Sequence, residues 1–143
     1  MRSFSDFFAY LGCPLNNTRW SWSAVSADGR RALFTIWSDE VKNRQYVLYP
    51  ITQRRPGLIA EEADNRLGAE EIARIAHYAA TTTGVESYGV LTMAKDTTAQ
   101  TRARATYDDN TVFRLRIDAR DGKYVAHLVE RPPVQVVVKG GEA

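Results

Sequence analysis

The sequence predicts an α+β domain: an antiparallel, strongly bent sheet or partly open barrel with two main helices. Two Asp-Gly dipeptides, Asp28-Gly29 and Asp121-Gly122, each separate a pair of β-prone segments, as a two-residue hairpin turn requires. Between them Ile72, Ile75, Ala76 and Ala79 recur at helical spacing. The 143 residues suit one hydrophobic core and are short for two, so 1–143 reads as a single domain with 139–143 as a flexible tail.

The first element is a short amphipathic helix over residues 3–11. Phe4, Phe7, Phe8 and Leu11 share one face, Asp6 follows Ser3 by three positions as in a capping box, and Gly12 stands where a helix stops. Pro14 prevents continuation, and Asn16-Asn17 turns the chain into its first strand. Residues 18–37 form a hairpin about Asp28-Gly29, a pair suited to the positive φ angles of a type I′ turn. A strand from about Gln45 to Ile51 follows, then an exposed connection over 52–66, expected to be the most mobile segment.

The central helix runs from Ala69 to Ala80, with Glu70 and Glu71 at its positive end and Glu70 four residues before Arg74. Residues 87–94, SYGVLTMA, are apolar enough for a buried strand. Three more strands are expected at about 101–107, 111–119 and 123–130, the last two joined by Asp121-Gly122. Pro132 and Pro133 interrupt the sheet, leaving VQVVV at 134–138 as a short edge strand or a segment for a partner.

Composition narrows the function classes. An apolar fraction of 44% and a charged fraction of 25% are those of an average globular protein. No apolar run reaches the length of a membrane span, and MRSFSDFFAYLG lacks the features of a signal peptide, so a cytoplasmic location and no membrane partner are expected. Cys13, the sole cysteine, cannot form an internal disulfide and reads as a small, partly buried residue. A net charge of +2 is too small for a DNA-coating protein, so any nucleic-acid contact must be local. The arginines do come in close pairs, at 30/31, 54/55, 102/104 and 114/116, a pattern that solvated strands and turns also explain.

Counting outward from Asp28-Gly29 fixes the register of the first hairpin. Trp20 falls opposite Trp37, Trp22 opposite Thr35 and Ala24 opposite Leu33, which puts all three tryptophans on one face, with Ser21, Ser23, Phe34 and Ile36 on the other. Such a cluster is either core or a cage that stacks an unpaired base or a methylated cation. Asn17, Arg19 and Asp39 flank it and could read a base edge, or serve as turn and cap residues. The second hairpin, counted likewise, places Phe113, Leu115, Ile117, Tyr124, Ala126 and Leu128 in the core. Arg114, Arg116 and His127 then form a basic strip that Arg102 and Arg104 could extend for a phosphate backbone.

Catalytic patterns are weak. His77 and His127 have no second ligand at metal spacing, so no metal site is assigned. Asp28 with Glu40-Val41-Lys42 loosely matches the acidic-acidic-lysine pattern of metal-dependent nucleases, but Asp28 is better used in the turn. There is no phosphate loop or nucleophile elbow, and neither catalytic residues nor a cofactor are assigned.

The stretches FFAYLGCPLNNTRWSWSA, LFTIWSDE, YGVLTMAKD and DGKYVAHLVERPPV, with the arginines before TYDD, resemble a family of small uncharacterised bacterial proteins over nearly the whole chain. Its pattern corresponds here to Arg19 through Trp22, Trp37 with Asp39, Ala94 through Asp96, and Arg131 with Pro133 and Val134. A second similarity, in size, α+β content and aromatic cage, is to PUA-like domains, including the EVE and YTH readers of modified bases. That resemblance implies a nucleic-acid reader. The sequence thus points first to a DNA- or RNA-binding module with Trp20, Trp22 and Trp37 as stacking walls. Arg19, Lys95, Arg102 and Arg104 would lie near the backbone, with Asn17, Asp39 and Asp96 beside them. The alternative is a protein-interaction domain of immunity or antitoxin type whose tryptophans are core; a metal-dependent nuclease comes third.

Overall fold

Residues 32–37 are all buried, although successive side chains of a strand point to opposite faces. The strand they belong to must therefore be covered on both sides. The computed structural model describes residues 2–54, 66–99 and 103–142 and shows what covers it. In chain order the elements are α1 (Phe4–Tyr10), β1 (Ser23–Val25), β2 (Arg31–Trp37), β3 (Gln45–Tyr49) and α2 (Arg66–Thr81). They are followed by β4 (Glu86–Ala94), β5 (Arg104–Tyr107), β6 (Phe113–Arg120), β7 (Lys123–Glu130) and α3 (Val134–Glu142).

The strands form one sheet in the order β1-β2-β4-β6-β7-β3, with β5 pairing to β4, and it curls into a half-barrel. The α+β class with a strongly bent sheet is as expected. All pairings are antiparallel except β2 with β4, which run parallel. Helix α2 lies against one face, where Ile72, Ile75 and Ala76 pack on Phe34, Ile36, Leu48, Leu115, Ala126 and Leu128. On the other face Phe4, Phe7, Phe8 and Leu11 of the first helical segment join Val134 and Val137 of α3 over Leu33, Val90 and Val112. Strand β2 is buried on both faces because it sits between these layers.

Both hairpin registers follow from counting. Ala24 faces Leu33, and the N–H of Thr35 donates to the carbonyl of Trp22 at 3.0 Å. Residues 115–120 pair with 123–128 as expected, up to a bulge that brings Arg114 opposite Glu130. Asp121 and Gly122 have φ of 53° and 75°, the expected type I′ geometry. At the first turn the expectation needs correction, since only Gly29 has positive φ there. Its N–H donates to the Ser26 carbonyl, while the Asp28 carboxylate takes the Ser26 hydroxyl and the Arg30 N–H, giving a longer side-chain-braced loop. The Tyr78 hydroxyl of α2 donates to the Gly29 carbonyl at 2.8 Å, and a Cβ on Gly29 would come 2.7 Å from that hydroxyl.

The chain's last segment is a second correction. Residues 134–138, expected as an edge strand, begin α3, which makes three α-helices among the described residues where two were expected and carries residues 139–142 of the expected tail. Valine is a weak helix former, but the deficit is a few tenths of a kcal/mol per residue. Val134, Val137 and Val138, at helical spacing, bury on the α1 side and outweigh it. Arg131 anchors the start: its guanidinium donates to the Asp108 carboxylate and the Thr111 hydroxyl, both at 2.8 Å, while the Val134 N–H donates to the Asn110 carbonyl. Most of the expected exposed connection, residues 55–65, lies outside the described residues.

Candidate nucleic-acid interface

Strands β2 and β4 run parallel, so their C-terminal ends share one edge of the molecule. Trp37 faces Thr92 there, with Asp39 just beyond one strand and Lys95-Asp96 just beyond the other. Trp22, before β1, is drawn to the same region by its backbone bond to Thr35 and lies 5.5 Å from Trp37, ring centre to ring centre. The two indoles meet as the register requires, but their surroundings differ. Trp37 is 5% exposed and belongs to the core against α2, whereas Trp22 is only partly buried.

Trp22 lines an open pocket of about 300 Å³ whose other principal walls are Ser3, Phe4, Arg19, Ser21 and Arg104. Phe4 and Trp22 stand 6.0 Å apart at 62°, close to edge-to-face. The Arg104 guanidinium lies 4.1 Å over the Phe4 ring and 5.9 Å from the Trp22 ring. Arg104 has no carboxylate partner among the described residues. Burial pulls its guanidinium below the usual value, with Tyr107 opposing. A half-buried cation resting on π faces is free to accept an anion.

The loop that carries Arg19 folds on itself. Asn17 accepts the Arg19 N–H on Oδ1 at 2.8 Å, and its own N–H donates to the Ser21 hydroxyl at 3.1 Å. Asn17 is thus a turn residue whose side chain sets the position of Arg19 on the rim. Asp96 likewise accepts the N–H and the hydroxyl of Thr98 and shapes the loop after β4.

Of the expected site residues, the structure gathers Trp22, Arg19 and Arg104 around one pocket, with Trp37 packed behind Trp22. Strand β1 begins at Ser23, so Trp20 lies in the preceding turn and has no strand position opposite Trp37. Arg102 lies outside the described residues, as does Arg55. Lys95 and Asp39 are exposed at the neighbouring strand ends. The expected basic strip is divided. Arg104 faces the α1 side of β5, while Arg116 and His127, on β6 and β7, both bind the Asp118 carboxylate, at 2.9 and 2.7 Å. Sequence reasoning missed Phe4 as a pocket wall, because its place in the apolar stripe of α1 marked it as core; a ring at the first helical position faces both core and rim.

The nuclease pattern is taken apart by the fold. Asp28 sits in the hairpin turn at one end of β2, and Glu40 is buried beyond the other end, bound to the Arg54 guanidinium at 3.1 Å. Cys13 is fully buried, more so than expected. Burial pushes its thiol up to about 12, Arg31 opposing and Asp28 adding, so it is no nucleophile in the folded protein. No helix of the described residues is long and apolar enough to cross a membrane. Compared with family models, curated proteins and solved structures, the chain matches none.

Proposed function

We propose that this chain is a nucleic-acid-binding module that holds an unstacked base, modified or extruded, in the pocket between Phe4 and Trp22. The observation that carries this reading is Arg104, a guanidinium with no carboxylate partner among the described residues, seated on two aromatic rings at the wall of an open, hydroxyl-lined pocket. Aromatic faces and guanidinium planes both stack on bases, and the charge then lies beside the phosphate that joins a base to its neighbour. Arg19 on the rim supplies a second cation, and about 300 Å³ is at the small end of ligand-pocket sizes, suited to one ring system. The likeness to PUA-like base readers belongs to this proposal; the strongly bent sheet and the aromatic pocket are what support it.

Tryptophan emission titrated with short single-stranded oligonucleotides, methylated and unmodified, across a salt series tests the reading. Saturable quenching whose affinity falls as salt rises is expected. A flat response to every ligand at low salt would remove it. The second reading, a protein-interaction domain, is favoured by Trp37, which packs as core. Under it, acrylamide would quench neither indole of the Trp22–Trp37 pair.

A further inference from the structure

We propose a second ligand site, for a phosphoryl group, on the side of β6 and β7 that faces away from α2. It does not depend on the Trp22 pocket. Leu115, Ala126 and Leu128 point toward α2, so the alternating residues Arg116, Asp118, Arg120, Lys123 and His127 point the other way. There a cavity of about 560 Å³ is lined by Asp118, Arg120, Lys123 and His127, with Gln45 and Gln53 contributed by β3 and the turn after it.

The charges at this cavity are not balanced. Asp118 uses both carboxylate oxygens on neighbours: Oδ1 on the Arg116 guanidinium at 2.9 Å and Oδ2 on His127 Nε2 at 2.7 Å. That leaves His127 Nδ1 without a hydrogen-bond partner among the described residues. Arg120 and Lys123 face each other on the last rung before the Asp121-Gly122 turn, and neither has an ion-pair partner among the described residues. Asp121, the remaining carboxylate at the cavity, is in the turn. With Arg116 and Asp118 neutralising each other, two fixed cations and a protonatable imidazole oppose one carboxylate.

Asp118 also orients the imidazole. With Nε2–H donated to the carboxylate, Nδ1 of the neutral ring is an acceptor and repels an anion's oxygens. When the ring takes a second proton, Nδ1–H becomes a donor into the cavity, and the charge favours an anion. A phosphoryl group, with three terminal oxygens, matches donors from Arg120, Lys123 and His127, and the Gln45 and Gln53 amides can add to them. The group can be a free phosphate compound or the terminal phosphate of a nucleic-acid strand; the donor chemistry is shared.

The test is an NMR titration of the whole chain that follows the backbone amides of Arg120 and Lys123 and the His127 ring. The probes are inorganic phosphate, inorganic sulfate, and an oligonucleotide with or without a 5′-phosphate. Saturable shifts at these residues are expected, weakened about tenfold or more when Arg120→Ala and Lys123→Ala are combined. If the 5′-phosphorylated strand binds well ahead of its 5′-hydroxyl form, the ligand is a strand end; if inorganic phosphate does as well as the strand, it is a free phosphate compound. Absence of saturable shifts with every probe, or shifts that chloride reproduces, overturns the site. Trp22→Ala should leave the inorganic phosphate and sulfate titrations unchanged, so failure here is separable from failure of the base pocket.

Discussion

Trp22 and Trp37 lie in contact, yet they have different work. Trp37 is sealed in the core, and truncating a core aromatic leaves a cavity that the surroundings only partly fill. Trp37→Ala should therefore lower stability by about 3–5 kcal/mol in urea unfolding. Trp22 keeps one side toward the pocket, so Trp22→Ala should cost less, about 1–3 kcal/mol, while removing the oligonucleotide response. Equal losses for the two would mean that Trp22 is core as well. The pair was legible in the sequence because a turn residue and a count outward are enough to place cross-strand neighbours. Trp20 was not, because counting assumes that the strand continues, and here the turn at residues 18–20 ends it. Arg104 was legible as a cation but not as a pocket wall: its partner Phe4 is about a hundred positions away, and no local pattern joins them.

At the scale of elements, the parallel pair β2 and β4 depends on a close approach at Gly89. A Cβ built there would lie 2.5 Å from Ile36 Cγ1, in a fully packed core. Gly89→Ala should cost about 1–3 kcal/mol through overpacking, seen as a lower urea midpoint. Gly89→Ala combined with Ile36→Val should recover part of that loss, and no recovery would place the cost elsewhere. Helix α3 depends on the Arg131 anchor. Burial pushes the Asp108 carboxyl up, but the Thr111 hydroxyl, the Asn110 N–H, the Arg131 guanidinium and the Thr111 N–H together hold it below the ordinary carboxylate value. A carboxyl depressed in the fold adds stability that is present above its unfolded value, about 4, and is lost as pH falls through the folded one. Asp108→Asn should thus flatten the acid limb of the stability curve below about pH 4. An unchanged acid limb would contradict the assignment. The hairpins were legible because Asp-Gly turns are local signals. The helical state of 134–138 was not, because intrinsic propensity favours a strand there and only burial of Val134 and Val137, across the fold, reverses it.

At the scale of the molecule, a half-barrel with α2 on one side and α1 and α3 on part of the other leaves openings of different kinds. One, at the α1 edge, has phenyl and indole walls and a guanidinium with no carboxylate partner among the described residues; another, on β6 and β7, is lined by cations and an imidazole. The α+β class and the bent sheet could be read from the hairpins and the helical stripe. The parallel pairing could not, since it depends on where α2 returns the chain rather than on residues within either strand. Under the proposed function, the α1-edge pocket binds single-stranded nucleic acid through Arg104. A half-buried cation with no acidic partner among the described residues does little for stability, so Arg104→Gln should keep or raise the melting temperature, as substitutions at binding sites often do. The direct measurement is the fluorescence anisotropy of a labelled single-stranded oligonucleotide titrated at low salt with wild type and with Arg104→Gln. Saturable binding by the wild type is expected, with an affinity at least about tenfold weaker in the folded variant. No binding by the wild type, or equal binding by the two proteins, would contradict it.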